Sequence, residues 1–254
     1  MFHRGLVFLA FLFNGAFFLN AQDEALISGS ENGTNLNVLY RSDKTGKIYA
    51  DTRGYGILFR QTKHVNAKTR SFYEIDIQSL KHPKEIRTIG DAQNRRRFVY
   101  GKLNTVFLLR GGLGLQNVIF KKGDMKAVEV RYSYSFGPVV AFAKPYYVQI
   151  STTASSQAPN FIKFDDSDFV ADTPNVIGRA AYSYGLGEMK LYPGLCGKFN
   201  LSFEYAPYTN LIRAIETGVS VDYFPKALPL MARNPSENVI ITLHVGFVFG
   251  RKKF

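Results

Sequence analysis

Residues 128–136 alternate strictly: Val128, Val130, Tyr132, Tyr134 and Phe136 are apolar, and Glu129, Arg131, Ser133 and Ser135 between them are polar. Successive side chains of a strand point to opposite faces, so this segment predicts a strand with one apolar and one polar side. The same two-residue period recurs along the chain. It predicts strands over 53–63, 70–80, 103–120, 125–142, 146–153, 195–205, 213–224 and 238–250. In the second of these Tyr73, Ile75 and Ile77 oppose Glu74, Asp76 and Gln78. In the last, Val239 to Phe249 alternate with Thr242, His244 and Gly246. Turn chemistry separates the runs: Gly123-Asp124 supplies positive φ cheaply, and Ala143-Lys144-Pro145 makes a tight return.

An apolar strand face meets either a soluble core or lipid. The segment before the strands bears on the choice. Residues 1–21 carry His3 and Arg4, then an apolar run from Leu6 to Phe13, and close on Leu19-Asn20-Ala21. This reads as a cleaved export signal, interrupted by Asn14 and Gly15 and so too short to span as a helix. Residues 22–48 are polar, without a sustained period, and read as a flexible lead-in. Residues 49–254 then form one domain, expected to be an all-β, antiparallel, eight-stranded transmembrane barrel with a side-chain-filled lumen. A soluble β protein outside the inner membrane is the competing class.

Connection lengths follow the outer-membrane pattern. The 154–191 and 225–237 loops are long and fall at one end. The 143–145 and 206–210 returns are short and fall at the other, with both termini. The 81–102 connection breaks the pattern. It is long, yet strand parity puts it at the short-turn, periplasmic end.

If lipid takes the apolar face, the lumen receives Arg60, Glu74, Asp76, Arg110, Glu129, Arg131, Lys198, Glu204, Glu216, Asp222 and His244. An eight-stranded barrel is just wide enough for side chains to fill it. Charges there must pair, because an unpaired buried ion costs several kcal/mol. The expectation is a salt-bridged plug, with Glu129 paired to Arg110 on the preceding strand. A proton or ion path, as in a narrow channel, is the alternative.

Formal net charge is +12. Behind an export signal this points to anionic lipid or another envelope component and not to nucleic acid. The single cysteine, Cys196, allows no intrachain disulfide. No metal or cofactor is expected; Asp165, Asp166 and Asp168 are a weak divalent-cation signal in a loop. A lipid-modifying enzyme needs a nucleophile beside a base. His244 is the only histidine inside a predicted strand, with Ser220 or Thr242 as the nearest hydroxyl candidates, and no catalytic residues are expected. The glycine run Gly111-Gly112-Leu113-Gly114 sits in a strand and opens no helix, so it is no phosphate loop. Lys81, Lys84, Arg87, Arg95, Arg96 and Arg97 make the 81–102 connection strongly basic. It is either a solvated loop near acidic headgroups or a docking segment for a periplasmic or membrane protein.

The whole pattern resembles small outer-membrane β-barrel proteins of the Bacteroidota type. The residues that carry the resemblance are Leu19-Asn20-Ala21-Gln22, Lys81-His82-Pro83-Lys84-Glu85, Met189-Lys190-Leu191-Tyr192-Pro193-Gly194 and the closing run from Leu243 to Phe254. The resemblance implies an outer-membrane location and a structural or accessory part in the cell envelope, including in secretion or assembly machinery. It supplies no catalytic residues.

Overall fold

The computed structural model describes residues 42–65, 69–89, 97–120, 128–150, 160–163, 176–205 and 211–253. The strands in chain order are β1 (Ser42–Asp51), β2 (Gly54–His64), β3 (Thr69–Leu80), β4 (Arg87–Ile89), β5 (Arg97–Val99), β6 (Asn104–Phe120), β7 (Glu129–Pro145), β8 (Tyr147–Ile150), β9 (Asn160–Lys163), β10 (Val176–Arg179), β11 (Lys190–Glu204), β12 (Leu211–Leu228) and β13 (Glu237–Lys253). Eight of them close into an antiparallel barrel in the order β1-β2-β3-β6-β7-β11-β12-β13, with β13 returning to β1. Closure leaves no barrel strand with an unpaired edge, which lipid would punish.

The expected number of barrel strands holds, but two members differ. β1 joins the wall, with Ile48 registered against Phe247 of β13 and Ile57 of β2. The expected lead-in over 22–48 therefore ends by Ser42; residues 22–41 and the signal at 1–21 lie outside the described residues. The outward positions of β1 are Lys44, Gly46, Ile48 and Ala50, and Tyr49 points inward. Its apolar contrast is too weak to announce a strand. Hydrogen bonding to two neighbours orders it.

The expected strand over 146–153 is not in the barrel. Its described part, β8, pairs with β9 and β10 in a small separate sheet. A second small sheet pairs β4 with β5 inside the 81–103 connection. Adding β1 and removing β8 reverses the parity of the strands between them. The connections after β1, β3, β7 and β12 share one end. Those after β2, β6 and β11 share the other, with both barrel termini. The 81–103 connection thus lies with the other long loops, not with the short turns as expected. Backbone hydrogen bonds join the long connections there: Leu103 N–H donates to Leu230 O at 3.0 Å, Ala232 N–H to Gly101 O at 2.8 Å, and Tyr146 N–H to Leu103 O at 2.9 Å.

Candidate functional site

The lumen is built by alternation. Inward and outward positions alternate along the barrel strands, as in β3, where Phe72, Glu74, Asp76 and Gln78 are buried between more exposed neighbours. Ten of the eleven expected lumenal residues are buried, and Glu129 is half-buried at the terminal end.

The charges pair in two groups. In the middle, Arg60 bonds Glu74 at 2.9 Å and Glu216 at 2.9 Å, and Lys47 reaches Glu216 at 2.8 Å. Lys198 lies 2.6 Å from Asp76 and 3.3 Å from Glu74. Arg110 holds both oxygens of Asp222, at 2.8 and 2.7 Å, and touches Asp76 at 3.1 Å. Four cations thus face four carboxylates, and the cluster is formally neutral. Ser135 and Tyr49 donate further bonds, to Glu74 at 2.8 Å and to Asp76 at 2.7 Å.

Toward the termini, Arg70 bonds Asp43 at 3.1 Å and lies 3.7 Å from Glu129. Arg131 bonds Glu129 at 2.6 Å and also Glu204, which Lys252 approaches at 3.1 Å. Glu129 therefore pairs with Arg131 of its own strand and with Arg70. The expected Glu129–Arg110 pair does not form, because Arg110 lies deeper, level with Val139 of β7. Between the two groups is a void of about 20 Å³, lined by Asp43, Arg60, Arg131 and Glu216 among others. That is room for about one water. Toward the long loops the lumen turns apolar: Leu80, Leu108, Tyr192, Phe224, Leu228 and Ile240 pack in one cluster with Cys196. Beside this cluster a hydrogen-bonded polar chain runs to the loop end: Gln78 donates to Asp51 at 2.5 Å, the Arg53 backbone N–H donates to Asp51 at 2.6 Å, and the Arg53 side chain pairs with Glu237.

Sequence reasoning missed Lys47, Tyr49, Asp43, Arg70 and Lys252. Arg70 opens a predicted strand on the same face as Glu74 and Asp76, and Lys252 lies two residues past another on the face of His244, so carrying the period to the strand ends would have found both. The others lie on β1, whose pattern is weak.

His244 is buried beside Tyr49, with ring centroids 5.5 Å apart. Its Nε2 lies 2.7 Å from Asn200 Oδ1, an amide oxygen that only accepts, so this nitrogen donates. Ser220 and Thr242 bond each other at 2.6 Å and not the imidazole. No nucleophile–base pair forms around His244 among the described residues. Nor does any group of three or more His, Cys, Asp or Glu converge as metal ligands among them; Asp165, Asp166 and Asp168 lie outside the described residues.

The basic connection builds a different site. Lys81, Arg87 and Arg97 line a pocket of about 480 Å³ with Lys102, Lys144 and Arg179. Lys84 points elsewhere, donating to Asn234 at 3.1 Å. Arg95 and Arg96 lie outside the described residues. The floor of the pocket is the outer wall of the barrel: Tyr55, Ser79 and Phe107 register as one outward row across β2, β3 and β6. Its roof is β5, Arg179 of β10 and the 180–184 segment. Two cations hold the architecture. Lys102 bonds Glu85 at 2.8 Å, and Lys144 donates to Tyr182 O at 2.5 Å and Tyr184 O at 2.9 Å. Nearby, at the barrel mouth, Arg53 pairs with Glu237, and burial pulls the His82 imidazole below its ordinary value against the opposing pull of Glu237.

No protein-family model and no curated protein sequence matches the chain. Among solved structures it is similar to Neisserial surface protein A, at 10% identity over 83% of this chain and 95% of that one, with a TM-score of 0.41. It is also similar to Ail, the attachment invasion locus protein of Yersinia pestis, at 8% identity over 84% and 99%, with a TM-score of 0.38. The N-terminal β-barrel domain of Pseudomonas aeruginosa OprF matches at 7% identity over 83% and 98%, with a TM-score of 0.38.

Proposed function

We propose that the chain is an integral outer-membrane barrel with a sealed lumen, acting as a structural or accessory component of the envelope rather than as a channel or an enzyme. One observation carries the reading. All eight barrel strands expose large apolar side chains outward, including Ile48 at 63%, Leu113 at 73%, Phe136 at 62% and Leu243 at 60%. A water-soluble monomer rarely exposes a contiguous apolar patch beyond a few hundred Å², and this band encircles the barrel. Lipid is the solvent that fits it. The outer membrane is the bilayer in which closed barrels with short turns beside the termini and long loops opposite are built. The lumen supports a sealed barrel: two neutral ion groups and an apolar cluster fill it. An accessory place in secretion or envelope assembly fits a molecule whose two described sheets outside the barrel both lie at one loop end.

Fractionation tests the placement. The protein should remain with the outer membrane after carbonate and high-salt washes and should migrate faster on SDS gels when unheated. Release by carbonate would sink the barrel reading. In planar bilayers the wild-type protein should show little conductance; steady, large single-channel steps would overturn the sealed lumen.

A further inference from the structure

The basic pocket opens sideways onto the apolar wall, and this decides what it fits. Tyr55, Ser79 and Phe107 form its floor. The next outward row toward the termini is Ile57, Ile77, Leu109 and Val140, registered across β2, β3, β6 and β7. A ligand seated on the floor therefore has an apolar track running from its feet along the barrel.

The charge above the floor is lopsided. Among the described residues six cations line the pocket against one carboxylate, Glu85. Lys102 neutralises Glu85, and Lys144 is held by two carbonyl oxygens. Arg87, Arg97 and Arg179 have no carboxylate within salt-bridge distance among the described residues, and all three are exposed. The Lys81 ammonium lies over the Tyr55 ring, 5.4 Å from its centroid. Guanidinium forks suit the paired oxygens of a phosphate, which they bond through two parallel N–H groups. Tyrosines, with an apolar body and a polar tip, suit the boundary between headgroups and acyl chains.

We infer that this lateral pocket binds the phosphate-bearing headgroup of an anionic lipid, with Arg87, Arg97 and Arg179 around the phosphate and the acyl chains along the Ile57–Ile77–Leu109–Val140 row. A free phosphate would use the arginines but leave the apolar row idle. An acidic protein segment would not need a pocket continuous with the lipid-facing wall. The inference rests on the membrane-barrel reading, and if the long loops face outward the lipid belongs to the outer leaflet.

The test uses the full chain, delipidated in non-ionic detergent, with lipid retention read by native mass spectrometry. The probe is phosphorylated lipid A; dephosphorylated lipid A and inorganic phosphate are the comparison arms. Wild type should retain the phosphorylated lipid, and the Arg87→Gln, Arg97→Gln, Arg179→Gln variant should retain about tenfold less or lower still, since each cation near an anionic headgroup strengthens attraction severalfold. A matched variant at the opposite rim, Lys44→Gln, Arg213→Gln, Arg251→Gln, removes equal charge from outward positions near the termini and should retain lipid like wild type. Equal loss in both variants, or none in the first, overturns the site. Equal retention of the dephosphorylated lipid removes the phosphate from the account. Full displacement by inorganic phosphate at the lipid's own concentration makes it a free-anion site and overturns the lipid. Heat-modifiable migration of the same samples separates the readings: a failed pocket leaves a folded barrel, whereas a failed barrel reading leaves no heat-modifiable form at all.

Discussion

Arg110 on β6 grips Asp222 on β12 through two parallel hydrogen bonds of 2.8 and 2.7 Å, although three strand-to-strand steps of wall separate them. Both side chains are buried, and Asp76 supplies Arg110 with a third contact at 3.1 Å. The pair ties opposite arcs of the barrel through its interior. Such a bridge need not add net stability, since desolvating two ions offsets much of their attraction. Removing one partner is another matter. Asp222→Ala leaves Arg110 with one carboxylate shared with Lys198, and should cost about 3–5 kcal/mol in denaturant unfolding from detergent micelles. The double replacement Arg110→Met, Asp222→Leu should recover most of that loss. Additive losses from the two changes would show that water screens the pair.

A second prediction concerns Tyr49 and Gly56. A Cβ placed on Gly56 would stand 2.4 Å from the Tyr49 hydroxyl and 2.8 Å from Ile77 O. Gly56 is thus the slot through which Tyr49 of β1 crosses β2 to reach Asp76 of β3 at 2.7 Å. Gly56→Ala should displace the ring and cost about 1–3 kcal/mol as an overpacked core does. Tyr49→Phe keeps the ring and loses only a hydrogen bond to a carboxylate, about 1.5–3 kcal/mol. With Tyr49 shortened to Ala the ring clash is gone and only the Ile77 O contact remains, so Gly56→Ala should then cost clearly less. Unfolding midpoints of the four variants check this, and an undiminished penalty in the Tyr49→Ala background would refute it.

His244 gives the enzyme alternative its sharpest test. Its Nε2 faces an amide oxygen at 2.7 Å, not a hydroxyl. His244→Gln should leave the lipid A mass spectrum unchanged and lower stability by at most about 1 kcal/mol, the ordinary worth of one net hydrogen bond. A lipid A mass change that vanishes with His244 would reinstate a catalytic lumen.

The loop end can be assigned in intact cells. Cys196 is buried, so background thiol labelling should be low. Lys84→Cys and Asn234→Cys place thiols in two connections that touch at 3.1 Å. Both should react with a bulky maleimide that does not cross the outer membrane, and Val65→Cys, beside the short connection after β2, should not. Reaction at Val65 alone would turn the barrel over and put the basic pocket at the periplasmic leaflet.

The two-residue period by itself determined that this chain is all β, that its long strands have one apolar and one polar or charged face, and which residues fall on each. That followed because strand geometry assigns faces locally: no distant contact is needed to send Glu74 and Asp76 one way and Ile75 the other. Eleven lumenal residues were legible for that reason. The partners were not. Arg110 chooses Asp222 and Asp76 over Glu129 because β6 and β7 pair with Arg110 level with Val139, and register is set by the whole ladder. β1 was invisible because a strand with Lys44 and Gly46 outward carries little contrast; it exists because β13 and β2 both needed a partner. That one strand, with β8 leaving the wall, moved the basic connection from one end of the molecule to the other. Only closure in three dimensions could decide it, since counting parity along a chain propagates every single-strand error to all the loops that follow.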